Sequence, residues 1–288
     1  MFEHLINGLV LGGTYALVAM GLTLQYGIAR IMNLSFGDTV IAAAFAAYVL
    51  FTALGLSPLL SLLIVVPAGF AFSYGIFSLI MRPLVRRSAN SEALEVDSIL
   101  ATFGLLFVIQ GVLLVLFGGN FTSYSYLNVP VDILGAVVAL NRLSALILAA
   151  VLGGALVLLL MRTRWGLRMR AVAISASSAP LVGINVIQTS RMAFAIGGAL
   201  AASGGVVISM YQTFTVTSGV VFTMKALIVV IMGGKGSLPG ALAAGLILGL
   251  VETFVAAYID PGLTLASTYL IFLALLLLRP SGLFGKAS

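Results

Sequence analysis

Between Leu5 and Ile28 the chain runs without a single Asp, Glu, Lys, Arg or His. As a helix rising about 1.5 Å per residue, such a stretch spans the ~30 Å hydrocarbon core of a bilayer, which takes about 20 apolar residues. Runs of the same kind recur to the end of the chain. The whole sequence is 61% hydrophobic and only 8% charged, with a mean hydropathy of +1.22. Soluble domains carry about a quarter of their residues as charged side chains. This chain has too little polar surface to cover a water-soluble fold, so lipid is its solvent. A transmembrane barrel requires alternating segments of ~10 residues, and the sequence has no repeated alternation of that kind. The expected fold is an all-α polytopic membrane protein.

Hydropathy predicts about nine transmembrane or partly broken helices. They fall over 5–27, 37–55, 58–81, 98–118, 142–161, 190–211, 220–233, 238–259 and 264–278. With the 82–97 loop on the cytoplasmic side, strict alternation sends Arg30, Arg82, Arg86, Arg87, Arg162, Arg164, Arg168, Arg170, Arg191, Lys235, Arg279 and Lys286 inside. Arg142 alone falls outside, and Lys225 lies within a span. Cytoplasmic loops are enriched in Lys and Arg, so the expected orientation is N-terminus outside and C-terminus cytoplasmic. Met1-Phe2-Glu3-His4 lacks the basic region of a signal peptide, and the first apolar run is too long for one. The first segment is therefore expected to remain as a span. Two loops stand out: an external one at 119–141, rich in Tyr, Asn, Ser and Pro and expected to cap the exit, and a cytoplasmic one at 162–189. Neither is long enough for an independent enzyme domain, and 1–288 reads as one membrane domain.

Several chemistries are excluded. There is no cysteine and only one histidine, His4, which removes disulfides, thiolate metal sites, His metal clusters and His-based triads. Net charge is +6, but in a membrane chain this reflects basic cytoplasmic loops and not a nucleic-acid partner. The turn from Gly233 to Gly240 invites comparison with a phosphate loop. It fails, because Lys235 is followed by Gly236 and not by Ser or Thr. No cofactor or metal is expected, and any use of ATP belongs to partner chains.

Four features carry the functional argument. Gln25, Asn33, Ser35 and Asp38 interrupt apolar sequence and are flanked by Gly27 and Gly37. Polar, glycine-broken backbone at membrane depth is tolerated where it lines a cavity or is buried in protein; a plain cytoplasmic turn reads equally well from the residues. The 162–189 loop has a basic beginning, then small residues that are expected to form a helix stopping near Pro180 and Gly183. This would be a docking surface poor in bulky side chains, or an ordinary basic loop. Gly8, Gly12 and Ala16, then Gly197, Ala201 and Gly205, then Ala241, Gly245 and Gly249 form small-residue stripes. Such stripes let helices approach closely. Lys225 and Glu252 fall inside adjacent spans at similar depth. A lone charge there costs ~2.5–3.5 kcal/mol, so either the two pair or each finds water separately.

At this point the sequence resembles LivH-type permeases of branched-chain amino-acid ABC importers. The resemblance is carried by Gly21 to Gly27 with Asn33 to Asp38, and by Thr163, Trp165-Gly166, Arg170-Ala171, Ala179 and Gly183-Ile184-Asn185. It continues through Lys225, the Gly233–Ala241 turn, Gly245, Gly249 and Glu252. It implies a permease in the bacterial cytoplasmic (inner) membrane that moves branched-chain or other hydrophobic amino acids by alternating access. It also implies a second related permease chain, two ATPase subunits and an extracytoplasmic solute-binding protein as partners. On that resemblance, Arg170, Ala171, Ser175, Ala179 and Gly183 form an ATPase-coupling surface, and Gln25, Asn33, Ser35, Phe36 and Asp38 line the path. Family members often carry His where this chain has Phe36, which leaves urea, short amides or another small polar solute as alternatives. A stand-alone secondary transporter or channel is the alternative from another class.

Overall fold

The computed structural model describes residues 1–88, 91–133 and 136–285; Lys286 lies outside them. Helices dominate. The first, α1 (Phe2–Ala29), ends where Arg30 turns left-handed at φ 54° and its N–H returns to Tyr26 O. After a short connection α2 (Phe36–Leu54) runs to Gly55, whose φ of 64° and backbone bonds to Leu50 and Phe51 stop the helix. Ser57 caps α3 (Pro58–Ile76), with Pro58 in the first turn where its missing N–H costs nothing. A π-turn at Phe77–Met81 carries this helix on into α4 (Arg82–Arg87). Next come α5 (Ser91–Phe117), a two-stranded hairpin of β1 (Pro130–Ile133) and β2 (Ala136–Ala139), and α6 (Leu140–Arg162). Beyond it lie α7 (Arg164–Ile174), α8 (Val186–Ser209), α9 (Ser218–Gly233), α10 (Leu238–Tyr258) and α11 (Thr264–Leu278).

Among the described residues eight helices are long and apolar enough to cross a membrane, and the all-α polytopic expectation is borne out. The remaining expected span, 220–233, corresponds to α9, which has 16 residues. That is a reach of ~24 Å, short of the hydrocarbon core. It nevertheless links the two ends of the bundle. At its far side Gly236 packs beside Gly27 and Gly234 beside Gly285. Before it, Phe214 pairs with Thr122 of the 119–141 segment. That segment differs from a plain loop: it contains the hairpin, and α6 begins at Leu140. Alternating hydrogen bonds between Pro130–Ile133 and Ala136–Ala139, with Val131 opposite Val138, account for it.

The core sits around α1 and α8, which are buried along most of their length, while α11 lies almost wholly exposed on the outside of the bundle. The small-residue stripes explain this packing. A Cβ added at Gly12 would come within 2.8 Å of Leu246 Cα, and one at Gly245 within 2.6 Å of Ala16 Cα. The stripes of α1 and α10 therefore face each other, backbone to backbone. The stripe of α8 faces both α1, where Gly197 meets Gly21 and Gln25, and α2, where Gly205 meets Val40 and Ala44. Between lipid-solvated helices no hydrophobic gain drives association, so this close van der Waals fit holds the bundle together.

The candidate translocation site

The 30–35 connection turns back into the protein. Gly37 N–H donates to Thr223 Oγ1 at 2.9 Å, and Thr223 stands ten residues before the end of α9 at Gly233. At 1.5 Å per residue, α2 thus begins ~15 Å below that end of the bundle. Irregular backbone at such depth must have its polar groups satisfied by protein. Met32 N–H donates to Ser98 Oγ (3.1 Å) and Leu34 N–H to Thr102 Oγ1 (3.0 Å). Thr102 donates to Met32 O and Thr223 donates to Leu34 O, each at 3.1 Å. Two helices distant in sequence, α5 and α9, act as splints for the break.

Gln25, Asn33 and Ser35 form one chain of bonds. Gln25 Nε2 donates to Phe194 O (3.0 Å), Asn33 Nδ2 to Gln25 Oε1 (3.0 Å) and Ser35 Oγ to Asn33 Oδ1 (2.8 Å). Asp38 stands apart in the first turn of α2, where the helix dipole favours a carboxylate. Its Oδ1 accepts from Gln110 Nε2 at 3.0 Å, and its buried Oδ2 has no partner. Side chains are missing where α2 and α9 meet: a Cβ on Gly219 would overlap the Asp38 carboxylate, and one on Gly37 would overlap Gly219 O. Phe36 is buried with its ring against Gly21. Gln25, Ser35 and Asp38 are all fully buried, so this polar centre is closed to both sides.

Lys225 and Glu252 meet. Lys225 Nζ lies 2.8 Å from Glu252 Oε2 and 2.6 Å from Tyr15 Oη. Tyr15 donates to Glu252 Oε2 (2.8 Å) and Thr268 to Glu252 Oε1 (2.6 Å). The pair therefore ties α9 to α1, α10 and α11, with both carboxylate oxygens satisfied.

The 162–185 segment differs from expectation. The helix is α7, ending at Ile174 and not near Gly183; Thr163 caps it by accepting from Gly166 N–H at 3.0 Å. Ser175 Oγ then accepts from Ser178 N–H, and this serine turn takes the backbone out of the helix. A short 3₁₀ turn, Ala179–Val182, follows and closes at Gly183 with φ 76°. Arg170 and Gly183 are exposed and Ala171 and Ser175 half-buried, but Ala179 is buried beneath the turn. The tip is not poor in bulky side chains: Ile174, Leu181 and Val182 project from it, the first two 87% and 88% exposed.

Sequence reasoning missed Ser98, Thr102, Gln110 and Thr223, although each is a polar residue in an otherwise apolar helix. It also missed a cavity of ≈ 680 Å³ at the end away from the basic loops, bounded by the hairpin, the start of α6 and the end of α8. Tyr124 and Tyr211 line it with hydroxyls that burial pushes up to about 12, so both stay neutral. A second cavity of ≈ 780 Å³ opens at the basic end beside Arg30, Lys235 and the last turn of α7. A bundle of apolar helices with a buried polar break and a cavity at each end is a polytopic membrane protein.

The chain belongs to the branched-chain amino acid transport system permease component family, whose profile matches residues 4–279. It is 29% identical to the high-affinity branched-chain amino acid transport system permease protein BraD of Pseudomonas aeruginosa, over 99% of this chain and 95% of the relative. Against the permease protein LivH of Escherichia coli K12 identity is 28%, with the same coverage. A probable branched-chain amino acid transport permease protein LivH of Methanocaldococcus jannaschii is 26% identical over 97% of this chain and 91% of the relative. No solved structure matches the chain.

Proposed function

We propose that this chain is the membrane-spanning subunit of an ATP-driven importer that carries branched-chain or other hydrophobic amino acids across the bacterial cytoplasmic membrane. The observation that carries this reading is the family match over 4–279, together with a buried, broken polar element of the sort that transporters build at mid-membrane. In this reading the N-terminus is outside, and the basic end, with Arg30, Arg82, Arg164 and Lys235, is cytoplasmic. The partners are a second related permease, two ATPase subunits and an extracytoplasmic binding protein. The coupling surface is the exposed tip formed by Arg170, Ile174, Leu181, Val182 and Gly183. Bulky apolar side chains outside the membrane favour a protein partner there. Ala171 and Ser175 shape the tip, and Ala179 holds the turn from beneath.

Gln25, Asn33, Ser35 and Asp38 line the path, with Phe36 filling the space beside Gly21. ATP binding and hydrolysis by partners then shift the chain between states open to either side, through different affinities for those states. The test is isolation of the tagged chain from its native membrane in mild detergent. Co-isolation of ATPase chains with ATP hydrolysis supports the reading. A chain isolated without them, whose proteoliposomes take up solute down an ion gradient, contradicts it and supports a secondary transporter.

A further inference from the structure

The outer cavity contains an arrangement that the closed polar centre does not use. Arg142, in the first turn of α6, lines it and is the one Lys or Arg at that end of the bundle among the described residues. Its Nη1 donates to Asn7 Oδ1 at 2.7 Å, and it forms no ion pair there, since the one salt bridge among described residues is Lys225–Glu252. A guanidinium carries five N–H groups in a planar fork that matches a carboxylate, so most of its donors are open to a ligand.

The neighbouring Asn141 also lines the cavity and is 92% buried, being 8% exposed. Its Nδ2 donates to Met210 O at 3.0 Å, which fixes the amide orientation. Its Oδ1 is left without a partner. A buried, unpartnered acceptor costs free energy comparable to a lost hydrogen bond, and native folds keep few of them. Tyr124, whose hydroxyl is bonded to Ser209 at 2.7 Å, lines the same cavity with Ser209, while the Tyr211 hydroxyl turns inward to donate to Thr14 at 3.0 Å.

We infer that this cavity is an outer binding site for a free α-amino acid in its zwitterionic form, with Arg142 holding the carboxylate and the neutral polar wall that carries Tyr124 and Ser209 facing the ammonium. A fixed cation beside neutral acceptors complements a carboxylate next to an ammonium. Urea or a short amide has neither charge and can take only neutral hydrogen bonds from Arg142, with no ion pair. The site would select for amino acids before the closed centre is reached, and the assignment rests on the reading of the chain as an amino-acid permease.

The test uses the assembled importer in lipid nanodiscs, without its binding protein, and radiolabelled L-leucine as probe. Leucine should bind at least tenfold more tightly than leucinamide, which lacks the carboxylate. Arg142→Gln should weaken leucine at least tenfold and leave leucinamide unchanged, while Arg142→Lys should be intermediate. Equal binding of leucine and leucinamide by the unaltered complex overturns the site, whatever the variants do. So does undetectable leucine binding, or normal leucine binding by Arg142→Gln. If the same complex in proteoliposomes, supplied with its binding protein, still shows ATP-driven leucine uptake beside any of these results, only this site is lost; if that uptake also fails, the amino-acid reading goes with it.

Discussion

Thr223 concentrates what holds the broken segment, since one hydroxyl accepts from Gly37 N–H and donates to Leu34 O. Replacing it by Val keeps the shape and leaves two buried backbone groups unpaired, at a cost of about 1–3 kcal/mol each. The expected outcome is a clearly lowered unfolding temperature in detergent, with Thr223→Ser retaining most of the stability. A Val variant as stable as the original chain would count against the splint. Equal depth on consecutive helices made a Lys225–Glu252 contact one of two readings of the sequence, separate access to water being the other, and the structure selects the pair. Tyr15 and Thr268, which complete its hydrogen bonds, were not readable: a Tyr or Thr in an apolar helix is common and gives no sign of its partner. Glu252→Gln should destabilise strongly, since an orphaned buried partner costs about 3–5 kcal/mol. Combining it with Lys225→Met should recover part of that loss in the same unfolding measurement.

Among the elements, the small-residue stripes were legible and their partners were not. A spacing of four marks one face of a helix, but nothing local says which helix meets it. The structure pairs α1 with α10 and wedges α8 between α1 and α2. Gly245→Val should therefore push against Ala16 backbone and cost about 1–3 kcal/mol or prevent assembly. The same change at Gly154, where an added Cβ meets nothing, should be nearly silent; comparable losses at both sites would contradict this pairing. The end of α7 was misplaced because Pro180 and Gly183 are strong local stop signals. The earlier stop at Ile174 comes from serine side chains competing for the backbone, a weaker signal. Introducing Glu at Leu181 should lower solute-stimulated ATP hydrolysis severalfold while leaving solute binding intact. An unchanged rate would move the coupling surface elsewhere.

The whole molecule has one end rich in basic loops and an opposite end where, among the described residues, Arg142 alone carries a side-chain cation of Lys or Arg. Hydropathy and loop charge together made the fold class legible, because lipid imposes a single requirement on each span. They could not reveal that α2 starts deep in the bundle, since that depends on contacts across the chain, whereas the shortness of α9 was already visible in the brief apolar run 220–233. The sequence has no cysteine, so a single introduced thiol reports sidedness cleanly. With the proposed orientation, Ser125→Cys should react with an impermeant reagent added to intact cells, and Ser177→Cys only after the membrane is opened. The reverse pattern would invert the orientation. The central claim is that this chain forms the path of an ATP-driven amino-acid importer. Its most direct measurement is uptake of labelled L-leucine into proteoliposomes bearing the assembled complex, with binding protein on one side and ATP on the other. Uptake that requires hydrolysable ATP on the basic side is the result expected, and uptake driven by an ion gradient without ATP would contradict the account.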